Sequence, residues 1–232
     1  MLVTCYYDIY NNSESFFKYV TLFYDLGMSG LPIVLFVDPS MVYKFRIFPI
    51  KVIGLPLEEV KMYQMAMAYK GELPSVRTPS KDTKEFYALM NSKVEFVKRA
   101  SVLYPCEKFM WIDFGILKIF KNSAGCIERL HELEKQTFAT IKIPGCWPPG
   151  RFVSHDTINW TYCGGFLIIP ATLVDEFYGH CKGVLRDFCT MPQYKLTWET
   201  NIWAIVSTFA MKDTIEWFGA DHNDSMIMHV TY

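Results

Sequence analysis

Short unbroken apolar runs alternate along this chain with longer segments whose apolar residues recur every three or four positions. The first pattern marks buried strands and the second amphipathic helices. Leu2 to Tyr7 reads as a buried strand, and Phe16 to Leu26 as a helix behind the capping residues Asn11, Asn12 and Ser13. Ile33 to Val37 runs straight into Asp38-Pro39, a strand stopped by a turn signal. Ile47 to Leu55 reads as extended, interrupted by Pro49 and Gly54, and Leu57 to Tyr69 as a helix. Glu72 to Lys81, with Pro74 and Pro79, reads as a loop. Thr83 to Leu103 gives the clearest helix, with Phe86, Leu89, Met90, Val97 and Ala100 on one stripe. Phe109 to Ile112 is a short buried strand ending at Asp113, and Ile127 to Lys135 an exposed amphipathic helix. Ile143 to Gly150 holds Pro144, Pro148 and Pro149 and reads as a stiff, extended loop. Tyr162 to Ile169 reads as a strand, Leu173 to Phe188 as a helix, Trp198 to Ala210 as a helix and Thr214 to Phe218 as a last strand.

Strand–helix alternation without an internal repeat predicts an α/β fold, a mostly parallel central sheet flanked by helices. In such sheets ligands bind beyond the carboxyl ends of the strands. Asp8, Asp38, Asp113 and the Gly164-Gly165 pair are the polar or small residues expected there.

Composition narrows the class. The 232 residues are 51% hydrophobic and 16% aromatic, which calls for a large core and excludes a disordered chain. No linker divides them, so a single domain spanning 1–232 is expected. Lys and Arg number 23 against 24 Asp and Glu, giving a net charge of −1 and no positive field for nucleic acid. The seven cysteines (Cys5, Cys106, Cys126, Cys146, Cys163, Cys181 and Cys189) form no CxxC pair, which points to a reducing compartment. The amino terminus lacks the pattern of a signal peptide, and no apolar run approaches the ~20 residues of a transmembrane helix. A cytoplasmic location is expected.

GxGxxG, Walker A, GxSxG and HExxH motifs are all absent. Asp113-Phe114-Gly115 spells the kinase metal triplet, but no HRD or glycine-rich loop precedes it. Asp113 reads two ways: a carboxylate delivered by a buried strand to the binding edge, or a strand-end cap. Lys93 falls on the apolar stripe of its helix, so its ammonium needs an anion, either a ligand phosphate or a protein carboxylate. Gly164-Gly165 permits close backbone approach. Glu199 is either a base or a first-turn glutamate favoured by the helix dipole. His222, between Asp221 and Asn223-Asp224, is a candidate metal ligand or a loop residue, and His155-Asp156 has the same ambiguity.

Six ordered blocks together resemble the HtrL/YibB family of bacterial and viral proteins, over nearly the whole chain. They are Val3-Thr4-Cys5-Tyr6-Tyr7-Asp8-Ile9; Asp82-Thr83 with Leu89-Met90-Asn91-Ser92-Lys93; Trp111-Ile112-Asp113-Phe114-Gly115; Tyr162-Cys163-Gly164-Gly165-Phe166; Trp198-Glu199-Thr200-Asn201-Ile202-Trp203-Ala204; and Trp217 through Asp221-His222-Asn223. The family resembles in turn the GT-A class of nucleotide-sugar transferases. That resemblance implies transfer of a sugar from a nucleoside diphosphate donor, a UDP-sugar favoured, to a hydroxyl of a surface or virion glycan. It implies that Thr4, Tyr6 and Tyr7 hold the nucleoside, that Asn91 and Lys93 face the donor, and that Gly164 and Gly165 line the sugar. Asn201 and Glu199 would meet sugar or acceptor, with Glu199 or Asp156 as the base of an inverting reaction. Asp113 and His222 would ligate Mn²⁺ or Mg²⁺.

One position departs from the GT-A pattern: the second acid of its DXD motif is replaced by Gly115. The departure weakens a hard-cation site and favours a second reading, a non-catalytic sugar- or nucleotide-binding protein on a degenerate transferase fold. A phosphate-ester hydrolase is a third reading, though it would gather more carboxylates near Asp113.

Overall fold

A computed structural model of the chain describes residues 1–10, 13–151 and 154–232. Among the described residues seven strands join one sheet: β1 (Leu2–Tyr6), β2 (Ile33–Val37), β3 (Lys51–Gly54), β4 (Lys108–Ile112), β5 (Ile141–Gly145), β6 (Phe166–Pro170) and β7 (Ile215–Gly219). Their spatial order is β3-β2-β1-β4-β6-β5-β7. β1 pairs in parallel with both β2 and β4, whereas β6 runs antiparallel to β4 and to β5. All strands but β6 therefore share one direction. The chain winds outward from β1 through β2 to β3, then returns to the other side of β1 with β4. The crevice between β1 and β4 is thus the point where strand order reverses, the favoured ligand site of an open α/β sheet.

Strand alternation builds two cores. Val3 and Cys5 of β1 and Phe109 and Trp111 of β4 face one side. There they meet α2 (Lys61–Met67), α3 (Lys84–Asn91), α4 (Lys93–Leu103), α6 (Val174–Thr190) and α7 (Glu199–Phe209). Leu2 and Tyr6, with Met110 and Ile112, face α1 (Ser13–Gly27), α5 (Ser123–Lys135) and α8 (Ser225–Met228). The mostly parallel sheet flanked by helices matches the expected α/β class. Of the cap expected before α1, Asn11 and Asn12 lie outside the described residues.

Four elements differ from the sequence reading, each for a local reason. The long helix expected over Thr83 to Leu103 is two helices meeting at Ser92, whose hydroxyl donates to the Ala88 carbonyl at 2.7 Å. Such back-bonding competes with the helix ladder. The helix expected over Leu57 to Tyr69 opens as a 3₁₀ turn, Leu57–Glu59, and α2 begins only at Lys61. There the Glu95 carboxylate accepts the Lys61 and Met62 amides at 3.0 and 2.8 Å. The stiff loop expected from Ile143 is instead the end of β5. Pro144 is tolerated because β5 pairs with β6 only at Lys142, and the Pro144 carbonyl accepts the Cys163 amide at 2.7 Å. That same bond holds Tyr162 to Gly165 as a turn, so β6 starts at Phe166.

Candidate functional site

A cavity of about 730 Å³ opens at the carboxyl edge of the sheet, over the β1–β4 crevice. Tyr7 to Tyr10, which follow β1, and Asp113 to Ile116, which follow β4, line it. Because β6 runs the opposite way, the segment before it, Gly164-Gly165, reaches the same edge. The first turn of α7 and His222, beyond β7, complete the wall. Asp113, Lys93, Gly164, Gly165, Glu199 and His222, together with Tyr6 and Tyr7, are therefore brought to one cavity.

Its floor is a buried charge cluster. Lys93 begins α4 with a side chain 2% exposed, and its Nζ lies 2.8 Å from Glu199 Oε1, 2.9 Å from Asp113 Oδ1 and 2.8 Å from the Gly164 carbonyl. Three acceptors match the three donors of an ammonium. Burial alone would lower the Lys93 pKa, but the two carboxylates outweigh it and hold the group above the ordinary lysine range. Of the two anions open to Lys93 at the sequence level, the protein carboxylates are the ones in contact. Asp113 is fixed further by the Trp111 indole, which donates to Oδ1 at 2.8 Å, and by its own amide, which donates to the Gly165 carbonyl at 2.9 Å. The Asp113 side chain stays 37% exposed toward the cavity.

Gly164 is bare because a Cβ there would overlap Glu199 Oε1. Gly115 is bare because a Cβ would stand 2.6 Å from the Tyr19 ring. The position of a second DXD acid is thus filled by an aromatic side chain. Tyr7 stacks on Phe96 at 5.8 Å between centroids and donates its hydroxyl to the Leu55 carbonyl at 2.7 Å. Tyr6 packs among Phe16, Phe45 and Phe114.

Four residues expected at the site do not line the cavity. Thr4 is fully buried within β1. Asn91 is buried, and its amide donates to the Tyr87 and Thr197 carbonyls at 2.9 and 2.8 Å. Asn201, 0% exposed, is spent on loop closure: its amide donates to the Ser154 and Thr157 carbonyls, and its Oδ1 accepts the Asn159 amide at 2.7 Å. Asp156 sits on a loop outside the cavity, where the Lys195 ammonium at 2.6 Å and the Ser75 amide at 3.0 Å hold its pKa down at about 2. A carboxylate so stabilised is a weak base. Sequence reasoning passed over Lys81 and Lys118, which line the rim with their ammonium groups over Phe86 and Tyr19.

The side chains alone make a thin site for the expected Mn²⁺ or Mg²⁺. Hard cations of this kind take about six oxygens. Asp113 offers one open carboxylate oxygen, and the Lys93 ammonium already occupies the space beside the other. His222 stands with Cys146, its Nδ1 3.6 Å from the sulfur, and not in a ligand group with Asp113.

No protein-family model matches the chain, and no curated protein matches it in sequence. Among solved structures it is similar to the galactosyltransferase LgtC in complex with donor and acceptor sugar analogs. Identity is 11% and the TM-score 0.45, over 93% of this chain and 72% of that one. It is also similar to the glycosyltransferase GlyE of Streptococcus pneumoniae TIGR4, at 11% identity and a TM-score of 0.44, over 94% of this chain and 44% of that one. A third is the bifunctional IspDF of Campylobacter jejuni, at 13% identity and a TM-score of 0.41, over 95% of this chain and 49% of that one.

Proposed function

We propose that this chain is a member of the HtrL/YibB family and acts over residues 1–232 as a transferase domain. It would move a sugar from a nucleoside diphosphate, a UDP-sugar favoured, to a glycan hydroxyl in the cytoplasm. The observation that carries the reading is the position of Asp113: a carboxylate clamped on one oxygen by Lys93 and Trp111 and open to the cavity at the switch point of the sheet. The lining suits the ligand. Tyr10, Tyr19, Phe86, Trp160 and Trp198 offer aromatic faces to a base or sugar ring, and three lysines balance three carboxylates.

The two roles divide between floor and rim. Lys93 is committed to Asp113 and Glu199, so it orients those carboxylates toward the sugar instead of binding phosphate. Lys81 and Lys118 at the rim are the cations left to meet charge on a departing diphosphate. Glu199, fixed on Oε1 by Lys93, is the acid in position to meet an acceptor hydroxyl. No step is assigned to a metal.

Calorimetry with uridine, guanosine and thymidine diphosphate sugars tests the reading. One saturable site is expected, weakened up to about tenfold in Lys118→Ala. Absence of binding by every nucleotide sugar refutes it. The filling of the second DXD position by Tyr19 favours the non-catalytic reading. Donor binding without transfer to any acceptor or to water would establish that alternative.

A further inference from the structure

Three side chains with metal-ligand chemistry meet beside the cavity, which His222 alone of them lines, each brought by a different part of the sheet edge. Cys146 directly follows β5, Cys163 stands in the turn before β6, and His222 lies just beyond β7. Cys146 Sγ is 3.4 Å from Cys163 Sγ and 3.6 Å from His222 Nδ1, and the three ligand atoms all lie within 4.8 Å of one another. Among the described residues no other part of the molecule brings three His, Cys, Asp or Glu side chains together in this way.

The spacing is that of a tetrahedral site. Zinc bonds of about 2.3 Å to sulfur and about 2.0–2.1 Å to nitrogen place two sulfurs about 3.8 Å apart and a sulfur and a nitrogen about 3.6 Å apart. The Cys146–His222 edge already has that length, the Cys146–Cys163 edge needs to open by a few tenths of an ångström, and the Cys163–His222 edge lies within 4.8 Å. Asp221 Oδ1 lies 3.4 Å from Cys146 Sγ and 3.6 Å from His222 Nδ1, so a carboxylate stands beside the fourth position.

The backbone holds the ligands in place without a metal. The Cys146 and Trp147 amides both donate to the Trp160 carbonyl, at 3.0 and 2.9 Å. The Cys163 amide donates to Pro144, and the Ala220 amide to Gly145 at 3.0 Å. Gly145 itself leaves no room for a Cβ against the Thr161 carbonyl and the Trp217 indole. Preorganisation of this kind removes much of the entropy cost of assembling a site.

We propose that Cys146, Cys163 and His222 form a soft-metal site that takes zinc, with Asp221 as the fourth ligand. Two thiolates and an imidazole select zinc over manganese or magnesium. Each thiol releases its proton to solvent as it ligates. With four protein ligands the site is closed and structural. It pins the turn bearing Gly164 and Gly165 to the ends of β5 and β7, and so positions the carbonyl above Lys93. The site stands whether or not the cavity takes a nucleotide sugar.

Cobalt titration of the full chain, stripped of metal with a chelator and kept reduced with a phosphine, is the test. One cobalt per chain is expected, with the thiolate-to-cobalt charge-transfer band and the strong visible bands of a tetrahedral ion, all lost on adding zinc. Cys146→Ser and His222→Asn, both at partly exposed positions, should each weaken cobalt more than about tenfold while their melts confirm a folded chain. Cys189→Ser in α6 should leave the titration unchanged. A reduced, folded wild-type chain without the charge-transfer band overturns the proposal, as does a band undiminished in both variants. A Cys146–Cys163 disulfide formed in air, with no cobalt uptake after reduction, overturns it in favour of a redox pair.

Discussion

Replacing Lys93 with Met keeps the buried stem and deletes the ammonium, leaving Glu199 and Asp113 facing each other without a counterion. Breaking a buried pair by removing one partner costs about 3–5 kcal/mol, because the remaining charge is stranded. Only Glu199 is fully subject to that penalty, with a side chain 7% exposed; Asp113, at 37%, recovers much of its hydration from the cavity. A loss near the lower bound, about 3 kcal/mol, follows, or roughly 6–12 °C in Tm for a chain of this size. The sign of the pH dependence is fixed by the raised Lys93 pKa. Its contribution is complete below the unfolded lysine value of about 10.4 and fades only as pH rises through the higher folded value. The wild-type Lys93 contribution is therefore the same at about pH 6 and about pH 8. Adding Glu199→Gln to Lys93→Met removes the stranded charge and should restore a large part of the loss. A Lys93→Met protein as stable as the wild type, or a double variant weaker than the single one, would refute the argument that this cluster is an internal ion pair.

Gly115→Asp restores the spelling of a DXD motif but drives a side chain into the Tyr19 ring. A loss of about 1–3 kcal/mol in urea melts and no gain in Mn²⁺ affinity by calorimetry are expected; tighter Mn²⁺ binding would show that the position is open. Asp156, with its pKa depressed to about 2, contributes stability that is present above the ordinary aspartate range and lost as pH falls toward that value. Asp156→Asn should therefore lose less stability than the wild type on acidification from about pH 5 to about pH 3, read as urea midpoints. Parallel curves would show that the Lys195 and Ser75 contacts are absent in solution.

The periodicity of the chain made β1, β2, β4, β7, α6 and α7 legible, because their apolar patterns follow the two faces they bury. It hid β5, since Pro144 and Gly145 read as breakers until Thr161 and Trp217 are seen packed against them. The break at Ser92 was equally silent, because both helices continue one apolar stripe. Burial of Lys93 was visible from that stripe, but its partners were not: Asp113 and Glu199 lie on distant segments and meet only through the sheet. Asn91 and Asn201 carry ligand-like chemistry that the fold consumes in tying loops together. Lys81 and Lys118 gave no signal at all, for an exposed lysine on a rim has the same local sequence as any other. The Cys146, Cys163 and His222 cluster escaped notice for a related reason, being assembled by strand ends with no short spacing between its members.

The reversed direction of β6 has a mechanical side. The β4–β6 ladder runs from Lys108 opposite Pro170 to Ile112 opposite Phe166, and the Asp113 amide adds one further rung by donating to the Gly165 carbonyl. Asp113 is therefore the last stitch of a seam that lies inside the sheet and not the tip of a loop. Its amide should exchange with solvent deuterium as slowly as the central strand amides, since freeing it requires unzipping the seam from that end. The floor of the cavity then behaves as an anvil, fixed in register with the core. Adjustment to a bound molecule falls to the facing segments, 78–86 and 154–160, which reach the cavity from outside the sheet.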